Sequence, residues 1–140
     1  MPLPQPGDVE ACAARSWRPA FAQHALLFLS GIVLSLRNAA AFDSIHATRF
    51  GAMANELEIQ VGDLARAIRE HPMDVPGAAM STRLCTLLAC ETEAQLAEVL
   101  CVPLSIVLAG RARMYALAER MVGAGRTAED CVTAPVTVPE

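Results

Sequence analysis

The sequence predicts an all-α protein, a small helical bundle, on three observations. Apolar residues make up 54% of the 140 residues and aromatic residues only 4%; alanine and leucine dominate the apolar set, which favours helices over strands. Apolar side chains recur at intervals of three and four residues. Prolines and glycines divide the chain into segments of helical length. A chain of this length forms one domain, or one domain with a helical extension.

Proline and glycine in the first seven residues predict little regular structure there. We expect a mostly disordered leader over 1–18, with at most a short helical turn after Val9. The next helix, 19–38, has no formal charge before Arg37. It begins at Pro19, which is tolerated in the first turn of a helix. Because this helix is apolar nearly all round, it should be the central buried element.

The same stretch, Pro19 to Leu36, leaves a membrane or export segment open as an alternative. Its apolar part is about as long as the hydrophobic region of a signal peptide, but it is short for a bilayer span, which needs about 20 apolar residues. Acidic residues precede it, and Arg37 separates it from the small residues of a cleavage site. We therefore expect a core or interface helix in a cytoplasmic protein, with cysteines that behave as small core residues.

A second helix, ending near residue 70, is amphipathic. Asp43 or Ser44 is placed to cap it. Its apolar residues, spaced by three or four, are Phe50, Met53, Leu57, Val61, Leu64 and Ile68. The two helices form a hydrophobic pair at 19–70, which supports the rest of the chain or dimerises. Because one stripe covers only part of the first helix, we expect the remainder to be hidden in a homo-oligomer, such as a homodimer, or in a hetero-complex.

The stretch His71-Pro-Met-Asp-Val-Pro-Gly77 interrupts the helical pattern and predicts a linker at 71–77. It separates the helical pair from a C-terminal unit at 78–123. A flexible tail is expected at 124–140, where prolines recur. Within the C-terminal unit, Thr92 and Gln95 have the spacing of a capping box.

The segment Thr92-Glu-Ala-Gln-Leu-Ala-Glu-Val-Leu-Cys-Val-Pro-Leu-Ser-Ile-Val107 resembles the helix-turn-helix core of bacterial and phage repressors. The resemblance covers residues 80–113 and implies a C-terminal helix-turn-helix-like unit. Ala97 matches the small residue that lets the two helices approach. Cys101 stands where the family usually has glycine at a positive φ. The helix from about Pro103 onward would then enter the major groove.

The resemblance places Leu104, Ser105, Leu108 and Ala109 at base-facing positions. Base edges are read mainly by Arg, Asn, Gln, Lys and Glu; the leucines and the alanine can touch only thymine methyls, and Ser105 can donate one hydrogen bond. Arginines nearby can hold phosphates, which positions a protein without reading sequence. The candidate DNA-binding or partner-binding residues are therefore Arg83, Leu104, Ser105, Leu108, Arg111 and Arg113.

Two functions remain open at this point. The leading interpretation is a small bacterial or phage transcriptional regulator that binds DNA. The alternative is a non-enzymatic adaptor or chaperone-like protein that binds a protein partner through apolar helix faces. The net charge of −4 shows no general excess of basic residues, which nucleic-acid binders usually have. The sequence contains no phosphate loop, nucleophile elbow or zinc-ligand spacing, so we expect no enzymatic activity and no cofactor.

Overall fold

A computed structural model describes the chain from Leu3 to Ala124, with side chains up to Arg120. It confirms the all-α class, since the described residues form six α-helices, one 3-10 helix and one pair of two-residue strands. The elements in chain order are α1 (Pro6–Ala14), β1 (Ser16–Trp17), α2 (Pro19–Phe42), α3 (Ala47–Glu70), β2 (Val75–Pro76), the 3-10 helix (Gly77–Ala79), α4 (Thr82–Leu88), α5 (Glu93–Leu100) and α6 (Leu104–Ala124). The tail expected at 124–140 lies outside the described residues after Ala124.

Helix α2 is the centre of the bundle, as its apolar composition predicts. Helix α3 packs along one side of it and α6 along another, to a similar extent. The buried side chains of α2 include Leu26, Leu29, Ile32, Val33 and Leu36. The predicted stripe of α3 is buried too, apart from a half-buried Met53. Burial of each such side chain contributes about 1.5–3 kcal/mol.

Helices α2 and α6 meet at a close crossing between two glycines. A Cβ added to Gly31 would overlap the carbonyl oxygen of Gly110, and a Cβ on Gly110 would lie 2.9 Å from the Cα of Ile32. This approach of two backbones requires glycine. Further along α2, the Ser35 hydroxyl donates to the carbonyl oxygen of Ile106 at 3.0 Å. Because the contacts advance along α2 as they retreat along α6, the two helices run antiparallel.

The leader at 1–18 was expected to be mostly disordered, and this prediction is wrong. Pro6 occupies the first position of α1, where its missing N–H costs nothing. Helix α1 packs on α4 and buries Cys12. Trp17 of β1 pairs with Val75 of β2 in an antiparallel ladder. The prolines therefore mark the start of a helix, which the proline content alone did not distinguish from disorder.

The linker predicted at 71–77 is also partly structured. Val75 is completely buried, and Gly77 lies so close to α1 that a Cβ there would overlap the carbonyl oxygen of Cys12. The break therefore does not separate two independent units. The packing of α6 on α2 joins 19–70 and 78–123 into one bundle, and the β1–β2 pair holds the leader against the linker.

The start of α3 differs from the predicted cap at Asp43 or Ser44. The Asp43 carboxylate accepts the backbone N–H groups of Ile45 at 3.1 Å and His46 at 3.2 Å. It therefore stabilises the turn between α2 and α3. The N-cap residue of α3 is His46, which makes no side-chain capping bond.

The packing of α6 removes the reason for expecting a homo-oligomer through α2. Leu29 is 3% exposed and Val33 7%, so both are buried within a single chain. Helix α2 does have the length and hydropathy of a membrane span, and half of its most apolar window is buried inside the protein. Such burial is what the core helix of a bundle shows.

Candidate interaction surface on α6

The α5–α6 connection has the dimensions of a helix-turn-helix. Three residues, Cys101, Val102 and Pro103, join the two helices. The chain bends by 117° between them. Helix-turn-helix motifs typically join helices at about 90–120° through three or four residues. The α5–α6 connection is therefore a short, sharply bent turn between two helices.

The predicted capping box at the start of α5 is confirmed. The Thr92 hydroxyl accepts the N–H of Gln95 at 3.1 Å. The side-chain amide oxygen of Gln95 accepts the N–H groups of Glu91 at 2.7 Å and Thr92 at 3.3 Å. These bonds satisfy donors that a helix N-terminus otherwise leaves free. They fix where α5 begins, and so how Leu96 is aimed into the core.

The turn itself depends on Cys101, which has φ 58° and ψ 41°. No other non-glycine residue in the described part of the chain has a positive φ. The backbone of Cys101 thus adopts the left-handed conformation although the residue is not glycine. The expectation that Cys101 packs in the core is wrong, because its side chain is exposed. The guanidinium of Arg49 donates to the Cys101 carbonyl oxygen, which ties the turn to the start of α3.

The three uncharged residues of the predicted site lie together on α6. Leu104 is 43% exposed and Leu108 40%, and Ser105 beside them is exposed. The opposite side of the helix, the inner face, buries Val107, Gly110, Met114 and Leu117. The outer face, by contrast, consists of Leu104, Ser105, Leu108, Ala109, Arg111, Ala112, Tyr115 and Ala116, all exposed.

The predicted arginines do not form one charged surface with these residues. Arg111 is on the outer face and donates to Glu93 at 2.6 Å, so its charge is already neutralised. Arg83 lies on α4, where it pairs with Glu56 of α3 at 3.6 Å. Arg113 is half-buried and makes no ion pair within the described residues. Arg83 on α4 is therefore separate from the other candidate residues, which all lie on α6.

Three exposed residues on α6 or near its start were not predicted from the sequence. Tyr115, 59% exposed, continues the spacing of Leu104 and Leu108 along α6. Phe42 and Ile45, at the α2–α3 turn, are 84% and 86% exposed. The contact of Arg49 with Cys101 places this turn at the same end of the bundle as the start of α6. In the sequence, Phe42 and Ile45 are apolar residues beside the predicted helix break at Asp43, and this position could have indicated their exposure.

The buried thiols do not assemble into a chemical site. Burial, together with the neighbouring Cys85 thiol, raises the pKa of Cys12 to about 12. Burial likewise raises the pKa of Cys90 to about 11. Such thiols are largely protonated and unreactive at neutral pH. Among the residues that the structure describes, no group of His, Cys, Asp and Glu is arranged to hold a metal ion.

No family model, curated protein or solved structure matches this chain. The choice between the two functions therefore rests on the shape and chemistry of the α6 outer face.

Proposed function

We propose that the protein is a non-enzymatic interaction module, an adaptor or chaperone-like protein that binds a protein partner through the outer face of α6. One observation carries this proposal. Leu104 and Leu108 stand half-exposed on the first two turns of α6, where a DNA-binding helix-turn-helix would place side chains that hydrogen-bond to base edges. Contiguous exposed apolar surface of this kind marks interaction sites.

The charges around α6 support a protein partner. Arg111 is paired with Glu93 across the outer face, and Arg83 is held by Glu56 on another part of the surface. A phosphate backbone would have to displace both glutamates. Protein interfaces, in contrast, are depleted in charge at their centre and enriched in aromatic residues, which fits a face containing Tyr115 and one neutralised arginine.

DNA binding is the second candidate, because the 117° bend and three-residue turn are those of a helix-turn-helix. A small bacterial or phage transcriptional regulator would then use Arg111 and Arg113 on phosphates. Base contacts from Ser105 alone would give little sequence discrimination.

A mobility-shift titration separates the two candidates. The protein-partner proposal expects no shift of duplex DNA at about 50 mM salt, where phosphate contacts are strongest. A regulator would shift DNA with a salt slope of about −0.9 per phosphate contact. That slope would decrease in the Arg111→Ala, Arg113→Ala double variant. A shift with this behaviour would overturn the protein-partner proposal.

Site-specific photo-crosslinking in the native host tests the partner directly. A benzophenone amino acid is placed at position 108 and, as the matched control, at position 59. Ile59 is an exposed apolar residue on α3, 64% exposed, away from α6. Protein adducts at 108 that vanish with Leu104→Asp, with none at 59, are the expected result. Equal adduct formation at both positions, or none at 108, would contradict the assignment of the outer face.

A further inference from the structure

The outer face of α6 carries two parallel stripes of different size. The large stripe is Leu104, Leu108, Arg111 and Tyr115, and the small stripe is Ser105, Ala109, Ala112 and Ala116. Each small residue follows a large residue by one position, about 100° further round the helix. Both stripes are exposed along their whole length. The outer face is therefore a ridge beside a groove, about 18 Å long at about 1.5 Å per residue.

We propose that a second copy of this chain occupies this face, with the two α6 helices parallel and related by a two-fold axis. The inference rests on the proposed function, since it names the partner of the same surface. The two-fold axis runs parallel to both α6 helices. Rotation by 180° about it places the large stripe of one copy on the side where the other copy has its small stripe, so each large stripe packs against a small one. Leu108 then packs on Ala109 of the second copy, and Tyr115 on Ala116.

Self-complementarity is what a symmetric dimer interface requires, because both subunits present the same patch. Alternation of large and small side chains across facing positions lets two helices interdigitate closely. An antiparallel pair would instead set ridge against ridge. Arg111 is compatible with pairing, because it is paired with Glu93 of its own chain, and the exposed Glu119 lies one turn beyond the end of the two stripes. Such a dimer covers the face that would enter a major groove.

Sedimentation of the purified chain over its soluble concentration range measures the dissociation constant. Leu108→Ala removes a ridge residue, and Ala109→Leu fills the groove that receives one. Each single change should weaken the dimer about tenfold, the effect of a residue at the centre of an interface. Ile59→Ala, on an exposed part of α3, is the matched control and should leave the dissociation constant unchanged.

The Leu108→Ala, Ala109→Leu double variant provides the decisive measurement. It exchanges ridge and groove at one level in both copies, so dimerisation should recover towards the parent value only if positions 108 and 109 face each other. Circular dichroism confirms that each variant is folded. A double variant weaker than either single variant, or a chain that is monomeric at every concentration, overturns the second-copy proposal. If the chain is monomeric but crosslinks at position 108 to a different protein, the proposed function stands without the second-copy proposal. If it is monomeric and forms no such crosslinks, both proposals are overturned.

Discussion

The inner and outer faces of α6 contain the same residue types in different surroundings. The inner face sets Val107, Met114 and Leu117 into the bundle and brings Gly110 against α2 without a side chain between the backbones. The outer face has leucines too, but they stand half-exposed beside alanines. Leucine content therefore does not distinguish the buried face of this helix from the exposed face. What separates them is the side of the helix on which α2 lies.

Leu117 and Leu108 give the largest contrast between the two faces. Leu117 is 8% exposed and Leu108 40%. Leu117→Ala should lower the free energy of unfolding by about 2–3 kcal/mol, through lost transfer energy and an unfilled cavity. Leu108→Ala should change it by less than about 0.5 kcal/mol in the monomer. Urea denaturation at low protein concentration measures both, and equal losses would mean that the faces are not distinct.

The glycine crossing tests how tightly the inner face is fixed. Gly31→Ala puts a methyl group onto the Gly110 carbonyl, and should cost about 1–3 kcal/mol because the backbones must separate. Gly62→Ala is the matched control, since a Cβ there meets nothing within 4 Å. That change should stabilise α3 by about 0.5–1 kcal/mol, the usual gain over glycine in a helix. If both variants were stabilised, α2 and α6 would not be in backbone contact.

Thiol reactivity distinguishes buried from exposed surface more generally. Cys12 has a pKa raised to about 12 by burial and Cys85, whereas Cys101 is exposed. Alkylation of Cys12 at pH 8 should be slower by on the order of a hundredfold, because thiolate is the reacting form. Peptide mapping after timed alkylation gives the ratio, and denaturant should abolish it. A rate at Cys12 close to that at Cys101 would show that α1 is not packed on α4.

The raised pKa of Cys12 also predicts how the stability of the protein depends on pH. A folded-state pKa above the unfolded value means that folded protein keeps a proton which unfolded protein has lost. The contribution of Cys12 to the free energy of unfolding is therefore complete below about pH 9 and is lost as pH rises toward 12. Denaturation midpoints should fall over that range in the parent and fall less in Cys12→Ala. An identical decline in both proteins would assign it to other groups.

Local patterns in the sequence predicted the long helices and the capping box, because a stripe such as Phe50 to Ile68 depends only on spacing within one element. They did not predict that α6 would cover the second side of α2. That packing depends on Gly31 and Gly110, which are 79 positions apart and whose spacing carries no periodic signal. The outer face of α6 was located by resemblance, and its large and small stripes became interpretable only once the inner face was known.

Cys101 holds the α5–α6 turn in the left-handed region without being a glycine. Its φ of 58° is unfavourable for any residue with a Cβ. Cys101→Gly should therefore stabilise the protein by about 0.5–1 kcal/mol, whereas Cys101→Ala keeps the Cβ and should be neutral. Both variants retain the backbone carbonyl that accepts the Arg49 guanidinium, so the difference isolates backbone strain at the turn. Thermal denaturation of the pair measures it, and an alanine variant as stable as the glycine variant would show that the turn is not left-handed and that the two faces of α6 begin from a different geometry.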